Sequence, residues 1–221
     1  MGTGVEKAHS YAEAMQWDDL VDRARRLAGG EQRRVLGIAG PPGAGKSTVA
    51  GRLATALTGA GVAVTVVPMD GFHLADAELH RLGRHARKGA PDTFDGAGFV
   101  ALLRRIRRET DGVVYAPIFR REIEEPVAGA IPVPPETRLV ITEGNYLLVP
   151  DGVWGDVRGL LDEAWYLDLD EPERLRRLVA RHMAFGRDEA TARERALGSD
   201  QANAELIATT KGRADLIVPL S

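Results

Sequence analysis

The residues with the clearest chemical meaning form a glycine-rich run that ends in a lysine and a serine. Residues 40 to 47 read Gly-Pro-Pro-Gly-Ala-Gly-Lys-Ser, which fulfils the pattern G-x-x-x-x-G-K-[ST]. Glycines let the backbone approach a polyphosphate closely, while the lysine reaches the β- and γ-phosphates and the serine hydroxyl can bind Mg²⁺. The sequence therefore predicts a nucleoside-triphosphate site formed by Gly40, Pro41, Pro42, Gly43, Ala44, Gly45, Lys46, Ser47 and Thr48.

Two carboxylates follow other apolar runs and extend this predicted site. Asp70 comes after the run at residues 62–67, and Glu143 follows the run at residues 139–142. Phosphoryl transfer to an alcohol needs a carboxylate that orients the hydroxyl and accepts its proton, and Asp70 is our candidate for this base. An Asp-Gly pair at a strand end is otherwise ordinary turn chemistry. Glu143 is predicted to contact the substrate or, with Ser47, Mg²⁺.

Weaker candidates for contact with a second substrate lie close to these two acids. His73 follows Gly-Phe after Asp70, although a histidine there is as often a satisfied loop residue. Residues 84–95 are basic, then turn-like, then acidic, as in a loop that folds over a polar substrate, or as in a solvated connection. The predicted substrate contacts are Asp70, His73, Lys88, Phe94, Asp95, Glu143 and Tyr146.

Arginines recur on one face of a helical stretch near the end of the chain. Arg174, Arg177 and Arg181 have spacings of three and four residues, and further arginines follow at 187, 193 and 195. Most such runs are solvated helix faces. A reaction that builds charge on the γ-phosphoryl oxygens, however, is helped by a closing lid that carries arginines. We expect a lid around residues 174–200, with Arg177 and Arg181 on the phosphates and Arg181 and Lys46 active in catalysis.

The elements that must position these residues alternate between strands and helices. Apolar runs at residues 35–39, 62–67, 139–142 and 164–169 read as strands buried on both faces, and residues 216–218 can add a short last strand. Helical patterns cover residues 10–27, 47–57, 99–108, 173–185 and 190–208, and the Pro-rich stretch 126–135 reads as an irregular or hairpin excursion. This order predicts an α/β fold, a doubly wound and mainly parallel sheet with helices on both faces. Ligands of such sheets bind at the carboxyl ends of the strands.

Length, charge and composition limit the remaining possibilities. The 221 residues, 44% of them hydrophobic, are most simply one domain over residues 1–221, with residues 1–30 as a leading helix. A net charge of −3 argues against nucleic acid as the default partner. Cysteine is absent, which excludes a thiolate metal site. With neither a leader pattern nor an apolar run of membrane-spanning length, we expect a cytoplasmic protein without a membrane partner.

Several motifs together resemble one family, the P-loop kinases that include uridine kinase, phosphoribulokinase and bacterial pantothenate kinase. The marks are GPPGAGKST at 40–48, MDGFH at 69–73, KGAPDTFD at 88–95, VYAPIFRR at 114–121 and ITEGNYLL at 141–148. They look most like a nucleoside/nucleotide kinase-like subgroup that includes fructose kinase-like proteins. The resemblance implies ATP as phosphate donor, Asp70 as base, Glu143 near substrate and metal, and lid arginines on ATP phosphates. The chain departs from the pattern at Arg120, where an aspartate is expected.

The resemblance leaves the acceptor open. A nucleoside or a sugar is the first expectation for the phosphate acceptor, and pantothenate or glycerate is the alternative. On resemblance alone we expect an oligomer, a homodimer or a tetramer. A nucleotide-switch NTPase without an acceptor is a different class, which would use the glycine-rich loop for regulation. The chain has no N-K-x-D motif for reading guanine, and it keeps Lys46, Ser47, Asp70 and Glu143.

Overall fold

A sheet of five parallel strands lies at the centre of the computed structural model, which describes residues 17–186 and 188–220. The strands of the protein, in chain order, are β1 (Arg34–Ala39), β2 (Val64–Pro68), β3 (Val114–Arg120), β4 (Glu125–Val133), β5 (Leu139–Gly144), β6 (Glu163–Leu169) and β7 (Leu216–Leu220). The central sheet has the order β2-β5-β1-β6-β7, and each neighbouring pair is parallel. β3 and β4 form a separate antiparallel hairpin.

Helices connect these strands and cover the sheet. The described part of the first helix, α1, spans residues 17–27. The others are α2 (Lys46–Gly59), α3 (Asp76–Arg81), α4 (Gly96–Arg108), α5 (Glu171–Ala184), α6 (Glu189–Leu197) and α7 (Ser199–Ala208). Short 3₁₀ turns lie at Met69–Phe72, His85–Arg87, Pro91–Thr93, Gly152–Asp156, Arg158–Leu160 and Lys211–Arg213.

The strands are apolar on both faces because helices cover both. Leu36 and Trp165 pack on one side with Leu53 of α2. Their sequence neighbours Val35 and Tyr166 pack on the other side, against α4. Side chains alternate between the faces of a strand, so a strand buried twice needs a continuous apolar run. Each large apolar side chain buried in this way contributes about 1.5–3 kcal/mol relative to an exposed one.

The structure confirms the predicted fold class and differs in detail. All five strands predicted from apolar runs are present in the central sheet. The stretch predicted as one helix over residues 190–208 forms two helices, α6 and α7, because the backbone breaks at Gly198 (φ −94°, ψ −101°). The Pro-rich stretch is the second strand of the β3–β4 hairpin. Residues 1–16 of the predicted leading helix, and Arg187 of the predicted lid, lie outside the described residues.

Candidate active site

The glycine-rich loop connects β1 to α2 and has the backbone conformation that its sequence predicts. Gly43 and Gly45 have φ values of +86° and +88°, a region that favours glycine. A side-chain carbon at Gly43 would lie 2.8 Å from Cγ of Leu178, so the loop also packs tightly against α5. Backbone turns of this kind, placed before a helix N-terminus, make a concave site for anions.

Lys46 and Ser47 are the first two residues of α2, and each side chain donates one hydrogen bond. The Lys46 side chain is buried, and Nζ donates a 3.0 Å hydrogen bond to the carbonyl oxygen of Pro41. Burial lowers the pKa of Lys46 to about 8, although the charge of Glu143 opposes this shift. The Ser47 hydroxyl donates a 2.8 Å hydrogen bond to Oε1 of Glu143. A hydroxyl and a carboxylate, two oxygen ligands of the kind that Mg²⁺ prefers, are therefore in contact beside the loop.

Glu143 lies at the carboxyl end of β5 and Asp70 follows the adjacent strand β2, which places both carboxylates at the same edge of the sheet. Glu143 lies near the end of β5, where it is paired in register with Pro68 of β2. Asp70 lies two residues after Pro68, in the 3₁₀ turn Met69–Phe72. Glu143 is only 5% exposed, and burial, then the charge of Asp70, raises its pKa. Two acids of different exposure thus flank the end of the glycine-rich loop.

Asp70 faces an arginine that the sequence analysis did not select. Oδ2 of Asp70 is 3.6 Å from a guanidinium nitrogen of Arg121, just beyond the end of β3. The guanidinium carbon of Arg121 lies 5.9 Å from the ring centre of Phe119 and 5.7 Å from that of Phe185. Arg121 therefore lies between the hairpin and the end of α5. Arg120, the departure from the family pattern, is exposed and faces Glu125 across the hairpin.

His73 lies in an aromatic frame next to Asp70. Its Nδ1 is 2.8 Å from the carbonyl oxygen of Asp70, and its ring centre is 4.0 Å from that of Phe94 and 4.7 Å from that of Phe119. Burial lowers the pKa of His73, and the charge of Asp70 opposes this shift. A half-buried imidazole with a lowered pKa is neutral at physiological pH. In this form one ring nitrogen can donate a hydrogen bond and the other can accept one from a polar ligand.

Three other predicted substrate residues have structural contacts. Nζ of Lys88 donates to Asp76 at 2.6 Å and to the carbonyl oxygen of Glu124, which joins the loop at residues 84–95 to the hairpin. The carboxylate of Asp95 caps α4 by accepting from the amide of Gly98 at 2.8 Å. The Tyr146 side chain is fully buried, its hydroxyl donates to the carbonyl oxygen of Gly89, and burial raises its pKa. Lys88 and Phe94 line the cleft between the loop and the hairpin, whereas Asp95 and Tyr146 support it from behind.

The two predicted lid arginines, Arg177 and Arg181, lie on the side of α5 that faces the glycine-rich loop. Nε of Arg177 pairs with Glu173 at 2.7 Å, and a carbon built on Gly45 would lie 3.9 Å from an Arg177 nitrogen. Burial lowers the pKa of Arg181, and the charge of Arg121 lowers it further. No hydrogen bond joins the side chain of Arg181 to another of the described residues, although the charge of Asp200 acts on it. The end of α5 thus brings a half-buried cation to the cleft.

Comparison with known proteins explains this combination of features. Residues 35–221 match the model of the Phosphoribulokinase / Uridine kinase family. The chain belongs to this family. It is a small-molecule kinase, and the family implies that it uses ATP.

The relatives of this kinase differ in the substrate that their names indicate. A protein of Schizosaccharomyces pombe described as “Putative uridine kinase” is 35% identical over 93% of this chain and 91% of its own length. A solved structure from Silicibacter sp. TM1040, described as a “putative fructose transport system kinase”, is 39% identical, with 86% of this chain and 91% of that chain covered and a TM-score of 0.80. Phosphoribulokinase from Rhodobacter spheroides shares the fold alone, at 14% identity and a TM-score of 0.62 over 86% of this chain and 71% of that chain.

In this kinase, α6 and α7 fold back onto the loop at residues 84–95. Arg195 donates to the carbonyl oxygen of Lys88 at 3.0 Å, and Asn203 donates to that of Gly89 at 3.3 Å. A further contact joins α5 to α7, where Nε2 of His182 lies 2.8 Å from Oδ2 of Asp200. The predicted lid region is therefore in contact with the same loop that borders the cleft.

The cleft of the kinase has a volume of about 1610 Å³ and extends well beyond the glycine-rich loop. At one end it is lined by Asp70, His73 and Arg121, and at the other by Trp17 of α1 and by β7. Arg52 of α2 also lines it, with its guanidinium carbon 4.2 Å from the ring centre of Trp17. Four residues that line the cleft were not selected from the sequence, namely Arg121, Trp17, Arg52 and Asn145. Arg121 and Asn145 belong to motifs in which the sequence gave them no role of their own, and Trp17 and Arg52 belong to no motif.

Within residues 17–186 and 188–220, no group of three or more His, Asp or Glu side chains is arranged to hold a metal ion. No helix in the same part of the chain is long and apolar enough to cross a membrane.

Proposed function

We propose that this kinase transfers the γ-phosphate of Mg²⁺-ATP to a hydroxyl group of a small polar metabolite of the nucleoside or sugar type. The observation that carries the proposal is the convergence of three groups at one sheet edge. Lys46 and the Ser47–Glu143 pair lie beside the glycine-rich loop, and Asp70 follows the adjacent strand. Residues for the phosphate donor and a base for the acceptor thus share one cleft.

The donor end of the cleft consists of the glycine-rich loop, Lys46 and the lid arginines. Lys46 is buried and its pKa is lowered to about 8, so its charge lacks full compensation without an anion. The triphosphate supplies that negative charge, and Arg177 and Arg181 complete the binding of its oxygens. We assign Arg181 to the charge that develops on the γ-phosphoryl group, because it is close enough to Lys46, Asp70 and Glu143 for their charges to interact.

Ser47 and Glu143 are the residues that fit Mg²⁺. Proteins commonly hold Mg²⁺ with one or two side-chain oxygens, and phosphate oxygens and water complete the shell, so a cluster of three acids is not required. The metal ion, when bound, would neutralise charge on the phosphates. Ser47 keeps Glu143 oriented through their 2.8 Å hydrogen bond.

Asp70 is proposed as the base. The acceptor hydroxyl gives its proton to Asp70 while its oxygen bonds to the γ-phosphorus, and the bond from that phosphorus to the ADP oxygen breaks. His73, held by its Nδ1 contact to the carbonyl of Asp70, lies where it can bind the acceptor. Lys88 and Phe94 shape the same end of the cleft, while Asp95 and Tyr146 hold the loop around it.

We further propose one kinase domain whose lid spans residues 174–200, acting in the cytoplasm on small molecules without a nucleic-acid or membrane partner. The net charge of −3 supports the proposal that nucleic acid is not a partner, because polyanion binding favours basic surfaces. A homodimer is proposed on the family resemblance. Sedimentation of the purified chain measures its oligomeric state directly.

The test is ADP release from Mg²⁺-ATP in the presence of uridine, cytidine, fructose, ribose, glycerate or pantothenate, with a control that contains no acceptor. Acceptor-dependent ADP formation supports the proposal, whereas ADP release that ignores every acceptor indicates a nucleotide-switch NTPase. Lys46→Ala should abolish transfer. Lys211→Ala is the matched control, because this lysine pairs with Asp168 at 2.6 Å outside the cleft.

A further inference from the structure

Arg121 is a cation of the cleft whose guanidinium donates no hydrogen bond to any residue in the described part of the chain. Its guanidinium has two aromatic neighbours, Phe119 and Phe185, and one acidic neighbour, Asp70. Aromatic rings stabilise the charge but accept no ordinary hydrogen bond, and the 3.6 Å approach to Asp70 exceeds hydrogen-bond length. No other described residue accepts a hydrogen bond from Arg121. Its five N–H donors therefore remain available to a ligand.

The surroundings of Arg121 place it at the acceptor end of the cleft. It faces Asp70, the proposed base, and shares the Phe119 ring with His73. Arg181 lies close enough to Arg121 for their charges to interact, but Arg121 is the arginine that faces Asp70, at 3.6 Å. This contact places Arg121 beside the proposed base, where the acceptor hydroxyl must bind.

The other cation at this end is already neutralised. Nζ of Lys88 contacts the carboxylate of Asp76 at 2.6 Å, and its side chain is only 10% exposed. Arg121, at 40% side-chain exposure, is the more accessible of the two. A guanidinium is a planar fork that matches the oxygens of a carboxylate or a phosphate and binds them in pairs.

We propose that the acceptor carries an anionic group, a phosphate or a carboxylate, in addition to its reactive hydroxyl, and that Arg121 binds this group. The inference rests on the proposed transfer to a hydroxyl group, and it points to sugar phosphates, nucleotides or hydroxy acids in place of neutral nucleosides and sugars. Arg121 also compensates the charge of Asp70, so an anionic acceptor can approach the base without uncompensated repulsion. Arg121 is thereby the specificity-determining residue.

Binding of matched metabolite pairs tests this inference without requiring turnover. The pairs are ribose and ribose 5-phosphate, fructose and fructose 6-phosphate, uridine and uridine 5′-monophosphate, glycerol and glycerate, and pantothenol and pantothenate. Thermal unfolding is followed with each compound in the presence of a non-hydrolysable ATP analogue. We expect at least one anionic member to raise Tm more than its neutral partner does. If no anionic member does so, the inference is wrong.

Variants of two adjacent arginines assign the effect to one residue. Arg121→Gln should remove the Tm shift caused by the anionic compound, and Arg120→Gln should keep it, because Arg120 lies outside the cleft lining. Arg121→Lys keeps the charge but loses the fork, and it should retain part of the shift. An undiminished shift in Arg121→Gln overturns the proposal. The unfolding transition without ligand shows at once whether each variant is folded.

Steady-state kinetics separates this inference from the proposed function. With the anionic acceptor, Arg121→Gln should raise the acceptor KM by about 10- to 100-fold and leave the ATP KM unchanged. A raised ATP KM with an unchanged acceptor KM would assign Arg121 to the donor and refute the inference. Anion binding that depends on Arg121 without ADP formation would refute the kinase proposal alone. Turnover of neutral acceptors only would refute the inference alone.

Discussion

The hydroxyl of Ser47 donates a 2.8 Å hydrogen bond to Oε1 of Glu143, a residue 96 positions later in the chain. The contact exists because β1, which leads into the glycine-rich loop, pairs with β5, whose carboxyl end carries Glu143. The two proposed Mg²⁺ residues are therefore held in place by the sheet and need no metal to bring them together.

Glu143→Gln tests the proposed metal role. The amide keeps the shape and can still accept from Ser47, but it loses the charge that attracts a divalent cation. We expect the Mg²⁺ concentration for half-maximal activity to rise by roughly 10- to 100-fold. A Mg²⁺ titration of ADP formation at fixed ATP measures it. Glu136→Gln, an exposed acid before β5, is the control, and equal Mg²⁺ requirements in both variants would contradict the role.

Lys46→Met tests whether the buried charge destabilises the protein without ligand. Burial lowers the pKa of Lys46 to about 8, below its unfolded value of 10.5, so the charged form favours unfolding at pH 7. This loss of stability, caused by the buried charge of Lys46, is fully present below pH 8 and disappears as the pH rises towards 10.5. At pH 7 we expect Lys46→Met to have a higher free energy of unfolding than the unsubstituted protein. This difference in the free energy of unfolding should shrink by on the order of 2 kcal/mol between pH 7 and pH 10.

Urea unfolding of both proteins at pH 7, 8, 9 and 10, without nucleotide, gives this difference directly. Other groups titrate in the same range, but they are common to both proteins and cancel in the comparison. A difference that is constant with pH would mean that Lys46 has an ordinary pKa in the folded state.

Asp70→Asn separates catalysis from binding. Removal of the proposed base should lower kcat by roughly two to four orders of magnitude and leave ATP binding nearly intact. Single-turnover measurements with the accepted substrate, together with calorimetric binding of an ATP analogue, give the two quantities. If only the acceptor KM changes, Asp70 is a binding residue and another group takes the proton.

The fold class and the core of the site could be predicted because their signals are local. The conformation of the loop at residues 40–48 depends on its own glycines, which the sequence shows directly. Asp70 and Glu143 occur at the carboxyl ends of two apolar runs, and parallel pairing of these strands brings their carboxyl ends together. Arg121 gave no such signal. Its position depends on how the β3–β4 hairpin lies against α5, which no spacing in the sequence records. The helix break at Gly198 was also missed, because the helical pattern continues on both sides of that glycine.

Asp95 has a structural contact that the sequence analysis did not predict. The pattern of residues 84–95 predicted a substrate contact for this residue, and in the structure its carboxylate accepts from the amide of Gly98 at the start of α4. Asp95→Ala should therefore lower the free energy of unfolding by about 1 kcal/mol, while Asp95→Asn, which can also cap a helix, should lower it less. Denaturant unfolding measures both. A large rise in acceptor KM for both variants would support the predicted substrate contact as well.

Arg181→Gln tests the lid. Arg181 is a half-buried cation without a hydrogen-bond acceptor among the described residues, close enough to Lys46, Asp70 and Glu143 for their charges to interact. If it stabilises charge on the transferring phosphoryl group, its loss should lower kcat by about 100- to 1000-fold. Arg193→Gln is the matched control, because Arg193 is exposed on α6 and pairs with Glu189 at 3.0 Å. Similar kcat values for the two variants would show that the lid arginine serves packing only.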